Sequence, residues 1–372
     1  MQQLSVSRLF NGENWLENVS VTVDNGRVIK IAPAQSECLA ATLVPGFIDV
    51  QVNGGGGALF NTAPSRDTLQ SMVRAHTRFG TTAMLPTVIT DSVAVMQQAA
   101  DVIAQAIADN EPGIIGVHFE GPHLSVPKKG VHPEQHIRAL SPGELAIYRR
   151  TDLGIKMVTV APETISTGQI RELVALNVIV CLGHSNADAA TVQAALDAGA
   201  SGFTHLYNAM SPLTSREPGM VGVALADPGS WCGAIFDGYH MHPIAAKVAL
   251  AAKPRGKVVI VTDAMSPVGT EDTEFAFFSG KVTRDGNKLT NEAGALAGSV
   301  LDMAAAVRYA IEQLAVSPEE AIRMASLYPA QWINYANAGV LKVGSQADMV
   351  LLDANWQVIA SWIKGELQFN HA

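Results

Sequence analysis

Two histidines and a glutamate, each at or near the end of an apolar run, are the residues of this chain best suited to chemistry. Glu120 closes GIIGVHFE (113–120), His184 lies near the end of VIVCLGHS (178–185), and His205 sits within GFTHLYNA (202–209). Imidazole and carboxylate together suit zinc or another divalent first-row ion, and three protein ligands leave one position open for water. Such an ion lowers the pKa of water to about 7 and so supplies a nucleophile at neutral pH. Asp263, in VTDAMSP, ends a further run. There it could take a proton from an attacking water and return it to a leaving amine; the competing reading is an aspartate that merely begins a turn. Gln51 and Asn53 end another run, and His240 ends one more. A lone histidine in such a place is more often a packed core residue. The recurrence of candidates at corresponding positions carries the metal reading.

Corresponding positions require elements that bring them together. Apolar, β-branched runs recur at 46–52, 82–88, 113–120, 155–162, 178–185, 202–209, 232–240 and 257–264. Ala-rich segments with helical character lie between or after them, as at 91–109, 187–199, 243–253 and 299–314. Eight strand-then-helix units predict a closed parallel (β/α)₈ barrel of the TIM type, in which the polar strand ends converge on one mouth. A doubly wound open sheet is the alternative, and the count of eight favours closure. The segment 271–297 breaks the rhythm and reads as an inserted hairpin with an Asp-Gly turn, while 205–230 reads as a long Pro/Gly-rich loop over the site. The two chain ends resemble each other. Short alternating strands at 4–31 turn at Asp24-Asn25-Gly26, and similar strands follow Gly344-Ser345 and flank Asp353-Ala354-Asn355. Residues 1–44 and 335–372 are thus expected to form a small β-sandwich domain beside a catalytic barrel of residues 45–334.

Composition narrows the partners. Of 372 residues 48% are hydrophobic and 16% charged, enough for a sizeable core, and 25 Lys and Arg against 34 Asp and Glu give a net charge of -9. An acidic chain without basic runs is a poor partner for nucleic acid or an anionic membrane. No apolar run reaches membrane-spanning length and no signal peptide is apparent at MQQLSVSRLF, so a cytoplasmic protein with three reduced cysteines (Cys38, Cys181, Cys232) is expected. The glycines at 54–57 lack the Lys-Ser/Thr ending of a phosphate loop and read as a turn that lets the backbone approach a ligand. His118, two residues before Glu120, reads as either a support for the site or a packed barrel histidine. A serine-hydrolase elbow is absent.

The motifs LVPGFIDVQVNG (43–54), HFEGPH (118–123), KKGVHPE (128–134), CLGHSNA (181–187), THLYNAMSPLTSREPG (204–219), DGYHMHP (237–243), VTDAMSP (261–267) and GALAGS (294–299) follow one another in order. Together they resemble the N-acetylglucosamine-6-phosphate deacetylase family of the amidohydrolase superfamily, over nearly the whole chain and including GSQADMVLLD near its end. The resemblance implies a homodimer that hydrolyses N-acetyl-D-glucosamine 6-phosphate to D-glucosamine 6-phosphate and acetate. It implies Glu120, His184 and His205 as metal ligands, Asp263 as acid and base, and His132 as a catalytic histidine that polarises the acetamide carbonyl or touches the sugar. Asn208, Ala209, His240 and Arg216 match positions that hold the phosphate, Arg216 reaching into a neighbouring subunit, and Gln51 is placed with the substrate contacts. Many members of the superfamily carry His-x-His where this chain has Gln51-Val52-Asn53. Amides are weak ligands, so one divalent ion per subunit is expected, zinc first, with iron, cobalt or manganese accepted by the same donors. The alternatives are the N-acetylgalactosamine-6-phosphate enzyme, another amide hydrolase of the superfamily, and a barrel that binds without catalysis.

Overall fold

A computed structural model of the chain describes residues 1–278 and 280–371. Its first four strands, β1 (Gln2–Phe10), β2 (Trp15–Asp24), β3 (Arg27–Pro33) and β4 (Leu39–Pro45), pair with strands near the other end of the chain, and β4 runs straight into the barrel. Gly46 is the joint. A Cβ there would collide with the side chain of Thr82, so only glycine lets the chain pass this close.

Eight parallel strands follow in ring order: β5 (Phe47–Val52), β8 (Thr81–Ile89), β9 (Gly116–Glu120), β10 (Ile155–Val160), β11 (Val178–Leu182), β12 (Gly202–Phe203), β13 (Trp231–Ala234) and β14 (Val258–Ile260). The ring closes beyond β14, where Val52 bridges Ala264 and the amide of Asp263 donates to Gln51 O at 3.0 Å. Every residue of β5, β8 and β9 is buried, as expected when both faces of a parallel sheet are covered. The sequence runs that suggested these strands extend past the last three of them, because the chain leaves the sheet early there to form the site. Polar caps start the surrounding helices: Ser65, Ser92, Asp188 and Asp302 each accept a backbone N–H of the first turn. A tiny ribbon, β6 (Gly54–Gly55) with β7 (Ala58–Leu59), follows β5. Gly55 approaches helix Arg66–Thr77, where a Cβ would stand 2.7 Å from the Nε2 of His76, and Gly54 approaches the backbone of Ala58 and Ser266, so both close against protein rather than a ligand.

The inserted segment is a three-stranded sheet, one strand more than a hairpin: β15 (Glu274–Phe277), β16 (Gly280–Asp285) and β17 (Lys288–Asn291). Phe277, Val282 and Leu289 pack with Leu59, Ile89, Met265 and Ala297, which seats the insert against loops at the barrel mouth. The segment expected to be loop also contains a helix, Gly219–Ala226, most of it buried.

The strands β18 (Met349–Leu352), β19 (Val358–Ile363) and β20 (Glu366–Asn370) complete a seven-stranded sheet in the order β20-β19-β18-β4-β1-β2-β3. Asn25 and Gly26, both at positive φ (47° and 73°), make the tight turn between β2 and β3. The sheet wraps about a core of its own, including Val6, Leu9, Val21, Leu43, Met349 and Leu351, while Phe10, Val44, Val350 and Ile363 join the core of the barrel. Among the described residues no helix is long and apolar enough to cross a membrane.

Candidate metal centre and active site

Glu120 is the last residue of β9, and His184 and His205 each lie two residues beyond a barrel strand. All three are buried, and their donor atoms form a small triangle: Glu120 Oε1 is 3.1 Å from His184 Nε2 and 3.0 Å from His205 Nε2, and the two imidazole nitrogens are 3.0 Å apart. Bonds of about 2.0–2.1 Å to a tetrahedral zinc place donors roughly 3.3–3.4 Å apart, so the triangle fits one such ion with slight relaxation. The tautomer agrees. Lys128 O accepts only a proton donor, and His184 Nδ1 lies 2.9 Å from it, which leaves the Nε2 lone pair facing the triangle. Burial pushes the Glu120 carboxyl upward, but the two neighbouring histidines outweigh it and hold that carboxyl well below the usual range, as a carboxylate ligand requires.

Asp263 faces this group from the end of the eighth strand. Its Oδ1 accepts the amide of Asn53 at 2.6 Å and that of Gln51 at 3.2 Å; burial, with the nearby charge of Glu120, pushes its carboxyl above the usual range. Gln51, expected among the substrate contacts, stands behind the site and also donates to Glu120 at 3.1 Å. The strand-1 amides therefore hold the two carboxylates where His-x-His would hold a second ion. His184 (φ 47°), His205 (φ 33°) and Asp263 (φ 53°) all adopt left-handed backbone, which turns each side chain toward the barrel axis.

His132 comes from the loop after β9. Its Nδ1 is 3.3 Å from the amide nitrogen of Thr90 and 2.9 Å from the Thr90 hydroxyl. A backbone N–H only donates, so Nδ1 is the acceptor and a neutral ring carries its proton on Nε2. His240 is held by Asp237, whose Oδ2 is 2.6 Å from His240 Nδ1 and whose Oδ1 accepts the amides of Tyr239 and His240 at 2.8 Å. Asn208, Ala209 and His240 line the same cavity as Glu120, His132, His184, His205 and Asp263. The side-chain amide of Asn208 donates to the carbonyls of His205 and Leu206, both at 3.2 Å. Arg216 is not in this cavity; it lies exposed on the loop before helix Gly219–Ala226. Of the remaining histidines, His118 bridges Val50 O and Thr159 Oγ1 inside the barrel, His123 bonds Arg138 O, and His242 caps helix Pro243–Ala252. Thr90 and Asp237 went unnoticed in the sequence. Only Asp237 left a signal there, an aspartate three residues before a histidine.

The cavity of about 180 Å³ opens to solvent and is of a size for a small-molecule ligand. Its donors, open ligand triangle and adjacent carboxylate are the set of groups that a metal-assisted hydrolysis would use at the mouth of a barrel. The sequence model of the amidohydrolase family matches residues 42–370, and the chain belongs to that family. The family is metal-dependent, and among the described residues Glu120, His184 and His205 are the group that could hold an ion. More particularly, the chain is 56% identical over 330 residues to N-acetylgalactosamine-6-phosphate deacetylase of Shewanella sp. (strain ANA-3), covering 89% of this chain and 84% of that one. It is 37% identical to N-acetylglucosamine-6-phosphate deacetylase of Bos taurus, over 91% of this chain and 86% of that one. The crystal structure of N-acetylglucosamine-6-phosphate deacetylase from Pasteurella multocida superposes with a TM-score of 0.94 at 32% identity, over 99% of this chain and 100% of that one.

Proposed function

We propose that this chain hydrolyses the acetamide of an N-acetylhexosamine 6-phosphate, releasing acetate and the free amino-sugar phosphate. The convergence of Glu120, His184 and His205 on one point, with Asp263 across from them, is the observation that carries the reading. Identity of 56% to an N-acetylgalactosamine-6-phosphate enzyme, against 37% to the bovine gluco enzyme, supports the galacto epimer ahead of the gluco epimer implied by the motifs.

One divalent ion, zinc in this proposal, would be held by Glu120, His184 and His205 and would supply Lewis acidity and an acidified water. The chain's own groups then act in order. Asp263, oriented by the amides of Asn53 and Gln51, takes a proton from the attacking water as its oxygen bonds to the acetamide carbon. His132, with Nε2–H available because Thr90 occupies Nδ1, donates to the carbonyl oxygen as negative charge develops. Asp263 then delivers its proton to the sugar nitrogen, the C–N bond breaks, and acetate and the amine leave. Asn208, Ala209 and His240 hold the phosphate end, with Arg216 contributed by a second copy of the chain; an arginine fork suits phosphate oxygens in an otherwise acidic protein. The two amides that brace Glu120 and Asp263 favour one ion over two. A cytoplasmic homodimer completes the proposal.

Acetate release from a panel of N-acetylhexosamine 6-phosphates, after removal of metal and reconstitution with defined ions, tests it. Turnover of the galacto and gluco epimers at one equivalent of zinc per chain is expected, the galacto epimer faster. No acetate from any member of the panel would overturn the reading, and a need for two equivalents would overturn the single-ion part.

A further inference from the structure

The cavity has two unlike walls. The proposed phosphate contacts Asn208, Ala209 and His240 lie beyond β12 and β13, the sixth and seventh barrel strands. Facing them are five apolar side chains: Ile89, the last residue of β8; Val131, in the loop after β9; Met265, beyond β14; and Phe277 and Leu296 from the inserted segment. In the closed ring β8 and β9, which carry Ile89 and lead to Val131, lie opposite β12 and β13, while Met265 follows β14 and closes the wall beside β13. Ile89, Met265 and Phe277 are nearly sealed from solvent and belong, with Val131, to one packed cluster. Phe277 is backed by the ring of Phe278, with centroids 4.8 Å apart. The wall also adjoins the catalytic groups in sequence, since Val131 precedes His132 and Met265 follows Asp263 by two residues.

From this arrangement we infer that the insert completes an acyl pocket, in which Phe277, Ile89 and Met265 receive the methyl of the acetamide and set the length of acyl group that is hydrolysed. The inference rests on the function proposed above and adds the part of the substrate that the metal and phosphate contacts leave unread. A sugar phosphate anchored on the β12 and β13 side, with its carbonyl at His132 and the ligand triangle, must project its acyl tail away from the phosphate. That direction ends on the apolar wall. A packed wall excludes the next methylene, and one methylene in such a pocket is worth about 10–200-fold in kcat/KM.

The test compares kcat/KM for N-formyl, N-acetyl, N-propionyl and N-butyryl hexosamine 6-phosphates of the better epimer. The natural chain should prefer acetyl to propionyl by about tenfold or more. Phe277→Ala should raise the propionyl-to-acetyl ratio by about tenfold, and the milder Ile89→Val, which frees one methylene from a different element, by a few fold in the same direction. Leu289→Ala removes a buried side chain behind the insert that does not line the cavity, and should leave the ratio unchanged while lowering the melting temperature. A fixed ratio in both Phe277→Ala and Ile89→Val overturns the pocket, as does an equal shift in Leu289→Ala. Failure to release any carboxylate from the natural chain instead sinks the function itself, and the acyl pocket with it.

Discussion

The barrel mouth and the terminal sheet both turn the chain through left-handed backbone, and they do so with different residues. In the sheet two of the turns fall on Asn25-Gly26 and Lys364-Gly365, where glycine supplies part of the left-handed backbone at no steric cost, and the turn between β18 and β19 passes through Trp356 (φ 60°) without one. At the mouth they fall on His184, His205, Tyr207, Ala209 and Asp263, none of them glycine. Each such non-glycine residue costs on the order of 1–3 kcal/mol, and the surroundings hold it in place: the carbonyl of His184 accepts Ser125 N–H, while Asp263 is pinned by Gln51 O on one side and Ser299 N–H on the other, all at 3.0 Å. The sheet is arranged for stability. The mouth gives some stability up so that side chains from separate strands can meet.

The strongest test of that division is Asp263→Asn. The amide keeps the shape of the side chain, so metal content and ligand affinity should persist while kcat falls by about a thousandfold, within the range of general acid–base catalysis. Turnover within a few fold of normal would remove the mouth's claim to specialised chemistry. Next in size is a buried carboxylate on the other side of the comparison. Burial pushes the Asp348 carboxyl up to about 6, against an ordinary value of 3.8, although it accepts the amide of Lys364 at 2.7 Å. A raised carboxyl pKa means the folded state prefers the proton. Its contribution to stability is full below about 4, fades as pH rises through 6, and above that leaves a cost of about 3 kcal/mol. Asp348→Asn should therefore raise stability in chemical denaturation at pH 7.5, and the gain should vanish near pH 4; equal gains at both would show that charge is not the cause. The smallest expected effect is at Thr90. Thr90→Val removes the hydroxyl beside His132 Nδ1 and keeps the backbone donor, so kcat should drop about tenfold with KM little changed, the scale of one hydrogen bond. A change confined to KM would mean that Thr90 acts on binding rather than on the orientation of the histidine.

These contrasts also mark how far the sequence could be read. Strand positions, the Asn-Gly turn and the convergence of Glu120, His184 and His205 were legible because residue type and distance from a strand end are local facts. The barrel geometry does the rest. Helix Gly219–Ala226 escaped because GMVGVALA is apolar all round and shows no polar face by which to recognise it. The last three strands proved shorter than their apolar runs, since the loop conformation that aims His205 and Asp263 is not encoded in hydrophobicity. Thr90 and His132 stand 42 residues apart and meet only in the folded mouth. The apolar wall was hidden for the same reason: nothing local in the sequence links Ile89, Met265 and Phe277, and only their shared position gives them a specificity role in our proposal.

The direct run of β4 into β5 has a practical outcome. Because that join delivers the chain to the entry end of the first barrel strand, the sheet built from β1 to β4 and β18 to β20 sits at the closed floor of the barrel, where Ser361 bonds the last residue of helix Arg66–Thr77. A tag, a surface tether or a fused domain attached beyond β1 or β20 should hang from that floor. An immobilised form would then face the solution with its opening clear, and substrate would reach it as freely as in the untethered molecule.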